Sequence, residues 1–296
     1  MLLVAALIWG TTFVAQSEAM GQMGPFTFQA ARSVLGAVVL IPVIAVSDFA
    51  KKRIGTYEKP TKENNKKLLI ASLVCGSVYV VAAAFQQVGM AMGTESGKAG
   101  FITAMYMLIV PIIGIFMKKK VRGITWICIA VATVGLYLLC ITGDFSFRAS
   151  DVVVFGCAVS FALHIVVIDY FSPYVDGIRL SCYQFAVAAV YSIVLMFIFE
   201  TPTWEQIMVG WFPIAYAGIM SSGIGFTLQI LAQQRTNPTI ASMLMSLESV
   251  FAVLGGIVIL NEVPTAREAI GCVLMFAAII VAQIPFPEKK KLKAVK

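Results

Sequence analysis

Few side chains in this sequence can do chemistry, and the notable ones sit inside long apolar runs. Arg32 falls in AARSVLGAVVLIP, residues 30–42, and Glu248 in SLESVFAVLGG, residues 246–256. A guanidinium there could hold a carboxylate or a phosphate through its planar fork. A carboxyl at Glu248 could load and release a proton. His164 is the only histidine; a proton relay to Glu248 is one reading, since imidazole titrates near about pH 6.5. Trp9, Tyr106 and Gln184, and more weakly Gln87 and Gln229, are groups that could wall a cavity. Each has a structural alternative. Arg32 could pair with Glu18 or stretch toward the surface. Glu248 could stay protonated and tie two helices together. For His164 a neutral ring bonded to a neighbouring helix is preferred, and for the amides and aromatics helix packing is preferred.

Other chemistry is missing from the sequence. The six cysteines (Cys75, Cys128, Cys140, Cys157, Cys182 and Cys272) form no C-x-x-C and lie in apolar stretches. With one histidine, no metal-ligand spacing exists, so no metal site, cofactor or disulfide framework is expected. No H-E-x-x-H occurs, and Met220-Ser221-Ser222-Gly223 lacks the first glycine of a nucleophile motif. An enzyme is therefore not expected.

The elements that must carry these residues follow from composition. The chain has 296 residues, 59% hydrophobic and 12% charged, with mean hydropathy +0.90. Soluble domains carry about 25% charged residues. That excludes an ordinary cytosolic enzyme, a disordered chain and, despite a net charge of +7, a nucleic-acid binder. A spanning helix needs about 20 apolar residues. Segments 2–20, 26–47, 67–87, 99–117, 123–141, 151–169, 179–199, 211–234, 239–260 and 268–285 qualify. The first has no basic leader and is read as a span rather than a cleaved signal. With the N-terminus inside, the inner connections and tail hold 18 of the 22 basic residues. The outer connections hold Lys98, Arg148 and Arg267, leaving Arg32 inside a span. Positive charge stays on the cytoplasmic side, so both termini are expected there, in the cytoplasmic membrane of the cell.

The fold class expected is all-α: a polytopic membrane protein of ten transmembrane helices in two inverted five-helix repeats. Residues 2–47 overlay 154–199 at an offset of 152, placing Trp9 over Phe161 and Arg32 over Gln184. Residues 67–103 overlay 209–245 at an offset of 142, placing Gln87 over Gln229. Five helices per half is an odd number, so the second half inserts upside down. Such inversion marks secondary transporters with a midplane site. The units expected are 1–142, 150–286 and a basic cytoplasmic tail, 287–296. A duplicated chain completes its own pathway, so a monomer is expected. The rocking halves would enclose a cavity lined by helices 1, 2, 4, 6, 7 and 9. A channel would need a selectivity filter or charged rings, which the sequence lacks.

Several stretches carry a resemblance: ALIWGTTFVAQ (6–16), GPFTFQAARSVLGAVVLIP (24–42), KAGFITAMYMLIVPIIG (98–114) and SLESVFAVLGGIVILNEVPTAREAIG (246–271). Together they resemble the drug/metabolite transporter superfamily, in its EamA-type ten-helix branch, over nearly the whole chain. The last stretch is the most specific. Ser249 stands where the family pattern has proline, and Asn261 where it has glycine. The matching loop of the first half, Lys118-Lys119-Lys120, has no glutamate. The resemblance implies a proton-linked or facilitative carrier of small metabolites, often an amino-acid exporter, working within a lipid bilayer. An exporter of cationic drugs is the alternative.

Overall fold

The computed structural model describes residues 1–57, 59–119, 121–141, 148–260 and 265–284. Among them are helices and turns but no strand. Among the described residues nine helices are long and apolar enough to cross a membrane, and a further apolar helix, at the ninth expected span, is shorter. We number them α1 (Leu2–Met20), α2 (Pro25–Arg53), α3 (Lys62–Ala91), α4 (Gly97–Phe116), α5 (Gly123–Cys140), α6 (Ala149–Phe171), α7 (Gly177–Phe199), α8 (Trp211–Gln233), α9 (Pro238–Met245 with Glu248–Leu260) and α10 (Ala266–Gln283). Their outer faces carry exposed Val38, Ile41, Val46, Phe197 and Ile280. Such a surface belongs in hydrocarbon, where helices satisfy their own backbone groups.

Local chemistry sets the ends. Pro25 opens α2, Thr61 caps α3 through the Asn64 N–H, and Asp176 caps α7 through the Ile178 and Arg179 N–H groups. A Thr265–Glu268 capping box starts α10. The expected spans correspond to these helices, with two differences. First, α2 runs on through Lys51, Lys52 and Arg53, and α3 begins at Lys62, so the 48–66 connection is mostly helical. Hydropathy marks where a helix leaves the bilayer, whereas lysine and arginine continue helices well in water. Second, the ninth span is not continuous: Pro238–Met245 and Glu248–Leu260 are separate helical pieces. The basic tail, together with Asn261 and Glu262, lies outside the described residues.

Helices from the two halves of the chain interleave. α2 packs along α7 and α8, α3 along α6 and α7, α5 along α10, and α1 along α8 and α9. Glycine permits the closest approach. A Cβ on Gly10 of α1 would strike the Glu248 carbonyl and come within 2.8 Å of the Ala252 nitrogen. On α5, a Cβ on Gly135 would lie 2.8 Å from the Gly271 carbonyl of α10. Without a hydrophobic drive between helices, such contacts are what holds them together in lipid.

Charged residues pair at helix ends. Arg179 meets Asp48 at 2.6 Å and Lys51 meets Asp176 at 2.6 Å, joining α7 to the end of α2. Lys119 pairs with Asp169. At the opposite ends, Lys98 bonds Asp151 at 2.6 Å, and the Glu200 carboxylate accepts the Phe26 and Thr27 N–H groups at 2.7 and 2.8 Å. Each pair joins two ends expected on the same face. Burial alone would raise the Asp176 carboxyl. The Lys51 hydrogen bond, the Arg179 N–H and both positive charges outweigh it and hold the group below its ordinary range.

Candidate functional site

Three helices lose their regularity at the middle of the bundle. α4 tightens at Met105 into i→i+3 bonding, between Ser96–Ala104 and Tyr106–Phe116. α9 breaks at Ser246 and Leu247. α8 widens into a π-helical stretch, Ala217–Gly225, a form that recurs at functional sites. These irregularities surround one small cavity of about 60 Å³. α1, α2, α3, α4, α6, α8 and α9 all contribute to its wall. The expected lining helices included α7 and omitted α3 and α8; the structure corrects both points. α7 packs along α2 and α3 instead, with Gln184 bonded to His164 of α6 and Ser181 accepting from Thr227 of α8.

Arg32 of α2 is 4% exposed. Its Nη2 donates to Ser221 Oγ at 3.0 Å, its Nη1 to Gln16 Oε1 at 3.2 Å and its Nε to Ser222 Oγ at 3.4 Å. The ring of Phe28 lies 5.6 Å from the guanidinium carbon. Neither structural alternative for Arg32 holds: it neither reaches the surface nor pairs with Glu18. Glu18 is exposed and faces Gln22. Two residues on a helix are about 200° apart at 3.6 residues per turn, so α1 can present Gln16 to Arg32 or Glu18, not both. Gln16 also accepts from Gln87 Nε2.

Glu248 is 5% exposed and opens the second piece of α9. Its Oε1 accepts the Tyr106 hydroxyl at 3.1 Å, and Tyr106 opens the second piece of α4. An acid in the first turn of a helix lies in the favourable field of its N–H groups. Trp9 completes the quartet of expected residues on the cavity wall, tilted against Phe226 at 4.9 Å between ring centres.

His164 and Gln184 do not face the cavity. His164 Nε2 lies 3.2 Å from Gln184 Oε1, so the preferred reading of a histidine bonded to a neighbouring helix describes what is seen. Tyr79 and Phe226 pack on His164 from the cavity side, each 5.9 Å between ring centres. Of the weaker amides, Gln229 reaches the wall and Gln87 stands behind Gln16.

Several wall residues were not singled out in advance. Thr12, Phe13 and Gln16 line the cavity from α1 beside the expected Trp9. Their spacing puts them on one face of a helix, a signal present in the sequence. Tyr79, Ala83 and Gln86 form the same stripe on α3. Ser221 and Ser222 were weighed only as a nucleophile motif; their role here is to hold Arg32. No cluster of three His, Cys, Asp or Glu able to hold a metal occurs among the described residues.

Comparison with known proteins adds a second kind of observation. The model of the EamA-like transporter family matches residues 1–141 and 148–283. An uncharacterized transporter of Archaeoglobus fulgidus is 27% identical, with 96% of this chain and 84% of that protein covered. The uncharacterized transporter YoaV of Bacillus subtilis is 25% identical, with 96% of each covered. A solved crystal structure shares the fold at a TM-score of 0.75 and 20% identity, covering 95% of this chain and 94% of its own.

Proposed function

The chain belongs to the EamA-like transporter family and is a membrane transporter, and from that premise we propose that it exports a small metabolite, an amino acid or a related compound, by alternating access. Arg32 is the observation that carries this reading. Among the described residues its hydrogen-bond partners are all neutral oxygens. A charge buried at that depth calls for a counter-ion. A guanidinium has five N–H groups, and three are engaged, so two remain for a substrate carboxylate. Glu248 on the same cavity supplies a carboxyl to take a proton or the substrate ammonium. Trp9, Phe161 and Phe226 provide an apolar bed for the rest of the molecule.

The rocking element in this proposal is the inverted pair of five-helix repeats, 1–142 and 150–286. The pattern of packing supports it: exchanging each helix with its counterpart five positions on turns α1–α8 into α6–α3 and α1–α9 into α6–α4, and all four contacts occur. The basic-residue count and the ion pairs at matched ends support both termini in the cytoplasm, in the cytoplasmic membrane. One chain then suffices as a monomer.

Purified protein in liposomes, screened for counterflow with amino acids, nucleosides and organic cations, tests the reading. Saturable counterflow with an amino acid is expected. Flux that never saturates would indicate a channel. Glu248 within aromatic walls also suits a cation, which favours the drug-exporter alternative; counterflow with organic cations alone would select it.

A further inference from the structure

The cavity is lined partly in matched positions. At offsets of 152 and 142, Trp9 corresponds to Phe161, Tyr79 to Ser221 and Tyr106 to Glu248, and both members of each pair face the cavity. Tyr106 and Glu248 even bond each other. Thr12 and Arg32 face it without their counterparts, His164 and Gln184. Arg32 and its partner Ser221 thus map onto Gln184 and Tyr79, and Thr12 of the same cavity wall maps onto His164, while the other two partners of Arg32, Gln16 and Ser222, map onto the apolar Ile168 and Val80.

His164, Gln184 and Tyr79 form a cluster of their own. His164 and Gln184 bond each other, and Tyr79 packs on His164. All three are at most 1% exposed. Yet Tyr79 Oη, His164 Nδ1 and Gln184 Nε2 have no hydrogen-bond partner among the described residues. Buried polar groups are nearly always satisfied, so this cluster holds three polar atoms with unused hydrogen-bonding capacity. Arg32 lies seven residues into α2 from Pro25, and Gln184 seven residues into α7 from Gly177. Both depths are about 10 Å by helical rise. Those two ends lie on opposite faces, since α7 begins where α2 finishes.

We propose that His164, Gln184 and Tyr79 form a second substrate station, which takes the substrate's carboxylate when the carrier opens to the face opposite the Arg32 site. This rests on the carrier reading above. Inverted repeats rock against each other during alternating access; with the conformations of the two halves exchanged, Gln184 and His164 occupy the places that Arg32 and Thr12 hold here. With the His164 hydrogen on Nε2 and donated to Gln184 Oε1, Gln184 Nε2 and the Tyr79 hydroxyl are two neutral donors for carboxylate oxygens. Neutral donors hold an anion less tightly than a guanidinium, so the two stations differ in grip.

His164 is the only histidine, so the native chain carries its own reporter. Protein in liposomes is treated with diethyl pyrocarbonate, with and without a mixture of L-amino acids or the matching amino-acid amides, and His164 is read by peptide mass spectrometry. Modification slowed several-fold by the amino acids and not by the amides is expected. A second measurement uses Gln184→Cys and Ser221→Cys with a membrane-impermeant thiol reagent, read by mass against the six native cysteines. The two are expected to label from opposite faces. If Ser221→Cys labels while His164 and Gln184→Cys stay inert, the second station is overturned and the carrier reading stands. If Ser221→Cys is inert as well, the cavity is not a transport path and both readings fall. Equal protection by acids and amides overturns the carboxylate assignment.

Discussion

In the proposed carrier Arg32 and Glu248 divide the recognition between them, and their substitutions separate the roles. Lysine keeps the charge of Arg32 but reduces a planar fork with several fixed donors to a point. Arg32→Lys is therefore expected to weaken substrate binding tenfold or more, about 1.4 kcal/mol, measured as the half-saturation concentration in counterflow. Glu248→Gln keeps the shape and removes the titration. Its transport is expected to lose pH dependence; normal transport at every pH would remove the proton role. Tyr106→Phe deletes the bond to Glu248 and is expected to destabilise by about 1 kcal/mol, read as a lower melting temperature in detergent. Of the six residues that stand out in the sequence, Arg32, Glu248, Trp9 and Tyr106 line the cavity and His164 and Gln184 do not; they were legible because polar groups are costly in a bilayer. That Arg32 rests on Ser221 and Ser222 was not, since 189 and 190 positions separate them.

At the scale of helices, the α1–α9 contact matters most, because Gly10 seats α1 directly on the turn that presents Glu248. A methyl group there meets main chain, which cannot swing aside. Gly10→Ala is expected to cost about 1–3 kcal/mol, the usual range for overpacking, and to reduce transport by shifting Glu248. Gly123→Ala is the control, since nothing lies within 4 Å of a Cβ at that position; its melting temperature and transport should match the parent's. Helix existence and number were readable from hydropathy. The irregularities at Met105, at Ser246–Leu247 and in Ala217–Gly225 were not. No proline or glycine pattern singles out Ser246 and Leu247, and an apolar run looks the same whether its helix is whole or broken.

For the whole molecule, the charged ends tie the two parts of the chain into one unit. Asp176 sits below its ordinary carboxyl range in the folded protein, so the folded state favours its ionised form. That contribution is present above the unfolded value and is lost as pH falls through the folded one. Stability in detergent is therefore expected to decline below about pH 4, and Asp176→Asn should flatten that decline. The effect will be small, about 1 kcal/mol or less, because Lys51 and Asp176 are partly exposed. Composition and the order of apolar segments determined by themselves that this is a ten-helix membrane protein with its charge on the connections. These are local sums along the chain, and a bilayer reads them segment by segment. Which polar residues share a cavity was decided only by the tertiary structure. Each residue turns a helix by about 100°, so a side chain's facing depends on how that helix is rotated and which neighbour it meets. That is why Arg32 faces the cavity here while Gln184, 152 positions further on, is turned away.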